Sequence, residues 1–207
     1  DWEKVDAVSF SWQKVLGGEG GHGVIVLSPN AIKRLSTFYP ERPIPKIFRL
    51  VKNGNLIQGV FEGETLNTPS MFCVADALDS LSWIKEIGGL KETIRRSDKN
   101  FECLQGWVDE TPWIENLVSD PSNRSNTSVC LKFTDERLLT LNKGEQTDFI
   151  KKFVGLLEEE NAAFDIKGHR NAPPGLRIWC GATINLDDIQ KLLPWLEYCF
   201  HEIISSY

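Results

Sequence analysis

Between an apolar segment that ends at Ser11 and another that begins at Gly23, five of seven residues are glycine: Gly17, Gly18, Gly20, Gly21 and Gly23. So much glycine does not continue a strand or a helix, because glycine loses the most backbone freedom on ordering and brings no side chain to pack. The stretch therefore predicts a turn. Val5–Ser11 ahead of it alternates loosely and is rich in strand formers. Gly23–Leu27 after it is a short unbroken apolar run, which predicts a fully buried strand. Gly18, Gly20 and Gly23 match G-x-G-x-x-G, but a dinucleotide site needs a helix after the glycines, since its N-terminus holds the pyrophosphate. A strand follows here, so that reading is rejected. Lys14 precedes the glycines instead of following them, so a phosphate-cradling P-loop fails as well. What remains is a backbone free to pass closely around something held at Lys14. A lysine at a strand end among apolar and aromatic neighbours can be desolvated, which disfavours its ammonium form. A neutral amine can then form a Schiff base. The alternative is a surface lysine at a turn, where most lysines lie.

The remainder predicts an α/β fold in two parts. A helical turn or short helix over Asn30–Ser36 leads into a loop with Pro40, Pro43 and Pro45. A hairpin follows, pairing Ile47–Val51 with Leu56–Phe61 across Lys52–Asn55. Asn67-Thr68-Pro69 reads as a turn before a helix, with Thr68 as N-cap and Pro69 in the first helical position. Phe72, Ala75, Leu78, Leu81 and Trp83 set a helical stripe within Ser70–Gly88, and a second helix runs from about Leu90 to Asp109. Strands are expected at Ser128–Phe133, Phe164–Lys167 and Leu176–Cys180, and helices at Glu145–Asn161 and Leu186–Ser205. That order is a two-layer sandwich pattern. The division into domains is expected at 1–99 and 100–207.

Composition narrows the function by exclusion. With a net charge of -6, no basic field points to nucleic acid or an acidic membrane. No apolar run approaches the ~20 residues of a membrane-spanning helix. Five cysteines without a CxxC pair fit a reduced, cytoplasmic setting, and three dispersed histidines give no metal-ligand spacing. No signal peptide is recognised at the start. The chain opens at Asp1 and enters an apolar strand within a few residues, as the middle of a longer protein would.

A set of motifs carries a resemblance. Ser11-Trp12-Gln13-Lys14 with Gly17-Gly18-Glu19-Gly20, then Gly63–Met71, Arg124–Ser128, Gly168-His169-Arg170 and Pro173–Gly181, together resemble the phosphoserine aminotransferases. These are class V, fold-type I pyridoxal phosphate enzymes, and the resemblance spans essentially the whole chain. It implies part of a fold-type I large domain with its connecting helix over 1–99, and a complete small α/β domain over 100–207. It also implies that Lys14 carries pyridoxal phosphate and moves the proton at the substrate α-carbon. By the same resemblance Gln13 would contact the cofactor phosphate, and Asn67 and Thr68 would reach that phosphate from the neighbouring subunit of a homodimer. Neutral donors suit that role. Arg177 would hold the substrate α-carboxylate through its planar fork. His169 and Arg170 would lie near the substrate phosphate, or be ordinary loop residues. The implied reaction moves an amino group between glutamate and 3-phosphohydroxypyruvate, giving O-phosphoserine and 2-oxoglutarate in serine biosynthesis.

The same resemblance places the acidic partner of the pyridine nitrogen, and the ring that stacks on the cofactor, upstream of the lysine and outside these residues. Two other readings follow. The chain is a non-catalytic piece, or it belongs to another class V enzyme, such as an alanine–glyoxylate aminotransferase or a cysteine desulfurase. The desulfurase reading lacks support, because no cysteine of this chain sits in an evident mobile catalytic loop.

Overall fold

The computed structural model describes every residue from Asp1 to Tyr207. The chain divides into two compact units, Asp1–Trp83 and Ile84–Tyr207. The division falls ahead of the 99/100 boundary expected from sequence. The helix Gly89–Glu110 runs through the expected boundary: Arg96, ahead of it, donates to the Ala182 carbonyl and to Asn185 Oδ1, and Leu104 and Val108, beyond it, belong to the core of the second unit.

In the first unit, β1 (Ala7–Ser11) and β2 (Gly23–Leu27) form an antiparallel hairpin in which Ala7 faces Leu27 and Ser11 faces Gly23. A strand after the glycines is what removed the dinucleotide reading. β2 is not buried as expected: Ile25 is 61% exposed, because these residues supply no layer over that face. Ser28 caps α1 (Pro29–Thr37), its hydroxyl accepting the Ala31 N–H at 3.1 Å. The expected second hairpin shrinks to β3 (Val51–Lys52) and β4 (Asn55–Leu56), flanked by 3-10 turns over Lys46–Phe48 and Gln58–Phe61. Asn53 and Gly54 both have positive φ, as a tight two-residue turn requires. The helix α2 (Met71–Ile87) starts later than the Thr68 cap predicted. Ser70 takes that place, its Oγ accepting the Cys73 N–H at 3.3 Å. Of residues 1–83, only Cys73 and Ala77 are buried.

The second unit is a two-layer sandwich. Its antiparallel sheet has the order β5 (Ile114–Asn116), β6 (Ser128–Phe133), β7 (Leu176–Trp179). Beside it lie α3 (Gly89–Glu110), the one-turn α4 (Glu136–Leu139), α5 (Lys143–Glu159) and α6 (Leu186–Ile204). α6 contacts both α3 and α5. Val129, Leu131 and Phe133 alternate inward from β6 onto Phe149, Phe153, Leu196 and Phe200 of the helices. Trp113 stacks flat on Phe200, ring centres 4.0 Å apart. The fully buried Asn100 side chain donates to the carbonyls of Cys180, Gly181 and Ile184, tying α3 to the chain that leaves β7. β5 and α4 were not read from the sequence. The expected strand at Phe164–Lys167 is reduced to one bridge, Lys167 with Leu176.

Candidate functional site

Lys14 sits just beyond the end of β1, at the start of the long loop that returns to β2 at Gly23. Two main-chain closures shape its surroundings, a tight turn and a wider turn that encloses it. The Gly17 N–H donates to the Lys14 carbonyl at 3.0 Å, and the Gly18 N–H donates to the Trp12 carbonyl at 2.9 Å. Gly17 has φ +71°, a conformation that glycine supplies without steric cost. A Cβ on Gly23 would stand 2.8 Å from the Phe10 carbonyl oxygen, so the hairpin closes only with glycine there. The Lys14 and Gln13 side chains are exposed, and the Gln13 amide lies under Gly20. The 207 residues therefore leave the Lys14 amine in solvent, without the desolvation its apolar neighbours suggested. Asn67 and Thr68 are also exposed. They are joined to the Lys14 loop through Ser70, whose N–H donates to His22 Nε2 at 3.1 Å. Trp12 meets the His22 ring edge-on.

The other candidates belong to the second unit. Arg177 and Trp179 alternate with the buried Leu176 and Ile178, so they stand on the sheet face opposite the helices. Arg177 faces Cys130 in register. Its guanidinium lies 3.6 Å from Asp165 Oδ2, a pair whose carboxylate is 92% exposed and which holds it only weakly. The fork is thus half-open to a ligand carboxylate. His169 and Arg170 lie in an exposed turn. His169 Nδ1 accepts the Asn171 N–H at 3.2 Å, and its carbonyl accepts the Ala172 N–H at 2.8 Å. That turn is fastened to the base of β7 by the Gly168 N–H donating to the Gly175 carbonyl, 2.9 Å, and the Arg177 N–H donating to the Ile166 carbonyl, 2.7 Å. Lys167, His169, Arg170 and Pro173–Gly175 border a cleft of about 210 Å³. His169, Arg170 and Arg177 thus lie on one continuous, hydrogen-bonded excursion.

Three residues around Lys14 were not picked out from sequence: His22, Ser70 and Asp76. Asp76, on α2, accepts the Glu19 N–H at 2.9 Å. His22 lies within the glycine run, but a lone histidine without ligand spacing carries no motif. Asp76 is a lone acidic residue on a helix and carries no motif.

A curated phosphoserine aminotransferase from Methanosarcina barkeri is 45% identical to this chain over 202 residues, covering 97% of this chain and 51% of that protein. The chain belongs to the phosphoserine aminotransferase family. It spans about half the length of the curated relatives it matches. No protein-family model matches it. The fold agrees with that membership. The crystal structure of pyridoxal phosphate-bound phosphoserine aminotransferase from Trichomonas vaginalis superposes with a TM-score of 0.75 at 23% identity, over 95% of this chain and 49% of that one. An alanine–glyoxylate aminotransferase from Nostoc superposes at 0.67 with 20% identity, over 95% of this chain and 48% of that one. The wider aminotransferase class therefore shares the fold, and sequence identity draws the chain toward its phosphoserine aminotransferase members.

In this family member the strand that carries Arg177 depends on the glycine before it. A Cβ on Gly175 would stand 2.1 Å from the Leu131 carbonyl oxygen, which is main chain and cannot swing aside. Gly175→Ala is expected to destabilise the second unit by about 1–3 kcal/mol, the ordinary cost of overpacking. A urea titration followed by far-ultraviolet circular dichroism measures it. An unchanged midpoint would show that β7 shifts freely and that Arg177 is not fixed by the sheet.

Proposed function

We propose that this chain contributes the cofactor lysine and the substrate-carboxylate site of a pyridoxal phosphate-dependent phosphoserine aminotransferase. The reaction exchanges an amino group between glutamate and 3-phosphohydroxypyruvate, giving O-phosphoserine and 2-oxoglutarate. The observation that carries the reading is 45% identity over nearly the whole chain to a curated enzyme of that name. The exposed lysine at the end of β1, in a loop closed by glycines, supports it.

Pyridoxal phosphate fits the donor set of the first unit. Lys14 is a primary amine suited to an aldehyde, and Gln13, Asn67 and Thr68 are neutral donors suited to a phosphate. When bound, the cofactor serves as an electron sink for the substrate α-carbon. Lys14 would hold its aldehyde carbon until the substrate amine displaced Nζ from that carbon, and the freed amine would then take the proton from the substrate α-carbon. The Gln13 amide, with Asn67 and Thr68 from a neighbouring subunit, would hold the phosphate. Arg177 would grip the α-carboxylate with two parallel N–H donors, and His169 with Arg170 would meet the substrate phosphate. A cytoplasmic homodimer in serine biosynthesis belongs to the same reading. No helix is long and apolar enough to cross a membrane. Residues 1–99 are assigned to the large domain with its connecting helix, and residues 100–207 to the small one.

The cysteines speak against desulfurase chemistry. Burial pushes the Cys180 thiol up to about 12 and the Cys199 thiol up to about 11, so neither forms a thiolate near neutrality. Cys73, Cys103 and Cys130 lie within α2, α3 and β6, so none is carried on a loop.

Reduction of the native protein with borohydride in the presence of pyridoxal phosphate is expected to fix the label on the Lys14 peptide. Label on Lys46 or Lys132 in its place would overturn the assignment. Arg177→Lys keeps the charge and loses the fork. The KM for both glutamate and phosphoserine should rise about 10- to 100-fold, corresponding to the ~1.5–3 kcal/mol of a hydrogen bond to a charged group, with Lys14 labelling intact. Lost labelling with an unchanged KM would assign Arg177 to the cofactor. The 207 residues alone are expected to be inactive. Phe10, Ile25 and Val26 stand exposed on the hairpin, and the partner of the pyridine nitrogen is expected outside these residues. Turnover of phosphoserine with 2-oxoglutarate near ~10 s⁻¹, an ordinary enzyme rate, would refute this.

A further inference from the structure

The loop that carries Lys14 is fastened to α2 at three successive places. His22 accepts the Ser70 N–H. Gly21 packs over Cys73, where a Cβ would stand 3.3 Å from the sulfur. Asp76 Oδ2 accepts the Glu19 N–H at 2.9 Å. Ser70, Cys73 and Asp76 are spaced three apart, which places them along one side of the first turns of the helix.

The third contact is the most specific. A Cβ on Gly18 would stand 2.9 Å from Asp76 Oδ2 and 3.1 Å from the Trp12 carbonyl oxygen, so glycine at 18 is what admits the carboxylate. The Gly17 and Gly18 N–H groups are spent on the turns around Lys14, and the next N–H along the chain, that of Glu19, goes to Asp76. The carboxylate makes no hydrogen bond within its own helix; the bond from the Ser80 hydroxyl goes to the Asp76 main-chain carbonyl. A carboxylate accepting a main-chain N–H forms one of the stronger hydrogen bonds available to a loop. Asp76 is half-buried, which limits competition from water.

We infer that Asp76 is a positioning residue for Lys14. Its carboxylate fastens the glycine loop to α2 immediately after the two turns that set the lysine, and so fixes where the amine stands. The inference rests on the reading of Lys14 as the cofactor lysine. It adds an element that acts on the lysine through main chain alone, from a residue fifty-seven positions beyond the Glu19 N–H that it holds.

The test compares Asp76→Ala, Asp76→Asn and Gly18→Ala in the native protein with two readouts. One is pyridoxal phosphate trapped on Lys14 by borohydride, measured against Lys46 and Lys132 of the same chain. The other is hydrogen exchange of the main-chain amides over residues 15–22. Asp76→Ala should lower Lys14 labelling and speed exchange in the loop, each about tenfold for one charge-assisted hydrogen bond, with the second unit unchanged. Asp76→Asn keeps an oxygen that accepts the Glu19 N–H and should stay within about threefold of the native protein, as a neutral bond of the same geometry would. Gly18→Ala should lose at least as much as Asp76→Ala, since its Cβ also crowds the Trp12 carbonyl, and the double variant should fall short of the sum of the two losses, because both break the Asp76 contact. Native-like labelling and exchange in Asp76→Ala would overturn the inference. So would Asp76→Asn falling as far as Asp76→Ala, or additive losses in the double variant. Native protein that labels another lysine would sink the cofactor assignment, while loop exchange still decides whether Asp76 fastens the loop.

Discussion

The pairing of Ser11 with Gly23 fixes both ends of the loop that carries Lys14. Every other feature around that lysine depends on this closure. The chain must leave β1, turn twice, cross to α2 and re-enter β2 beside its point of departure. Side chains would block that path at two points: at Gly18 by the Asp76 carboxylate, and at Gly23 by the Phe10 carbonyl. Glycine abundance here is thus a consequence of crowding, and the crowding is what gives an otherwise exposed lysine a defined place. A loop with the same ends and bulkier residues would have to swing away from α2, taking Lys14 with it.

The two units rest on different balances of forces. The second buries a continuous apolar core between its sheet and its helices, with Asn100 satisfying main-chain groups inside it. Its framework can hold Arg177 by sheet hydrogen bonds and by the close approach of Gly175 to Leu131. The first buries only Cys73 and Ala77 and leaves Met71 and Phe72 on α2 more than 70% exposed. Its local order rests on hydrogen bonds and turns, with little burial behind them. Segments of that kind open more readily than a packed core does. A chain spanning about half the length of its relatives has the larger part of its packing debt in the unit that bears the lysine.

Sequence was most legible where burial has a period. β6 was read with its observed limits, since Val129, Leu131 and Phe133 alternate with residues on the open face, and α5 and α6 followed from helical stripes. β5 escaped because three residues after Thr111-Pro112 are too few to show alternation, and α4 because one turn capped by Asp135 has no stripe. β2 was misjudged for a different reason. An unbroken apolar run reports that something covers a strand, without saying that the covering residues lie in the same chain. The glycine run pointed to Lys14 because several glycines in one place have few explanations. Asp76 stayed hidden because its partner is a main-chain N–H, which every residue except proline possesses and which leaves no trace in composition.

The stacking of Trp113 on Phe200 bears on how the second unit comes into being on the ribosome. Trp113 lies just before β5, and Phe200 lies near the end of α6, the last of the unit's elements to be synthesised. α3, the sheet and α5 therefore emerge with the apolar surface that α6 will cover still open to solvent. Closure waits for a contact that spans most of the unit, and contacts of such sequence separation are slow to form. Until then the nascent chain exposes the kind of surface that holding chaperones recognise. The position of one aromatic pair thus sets the window in which this chain is most vulnerable to aggregation.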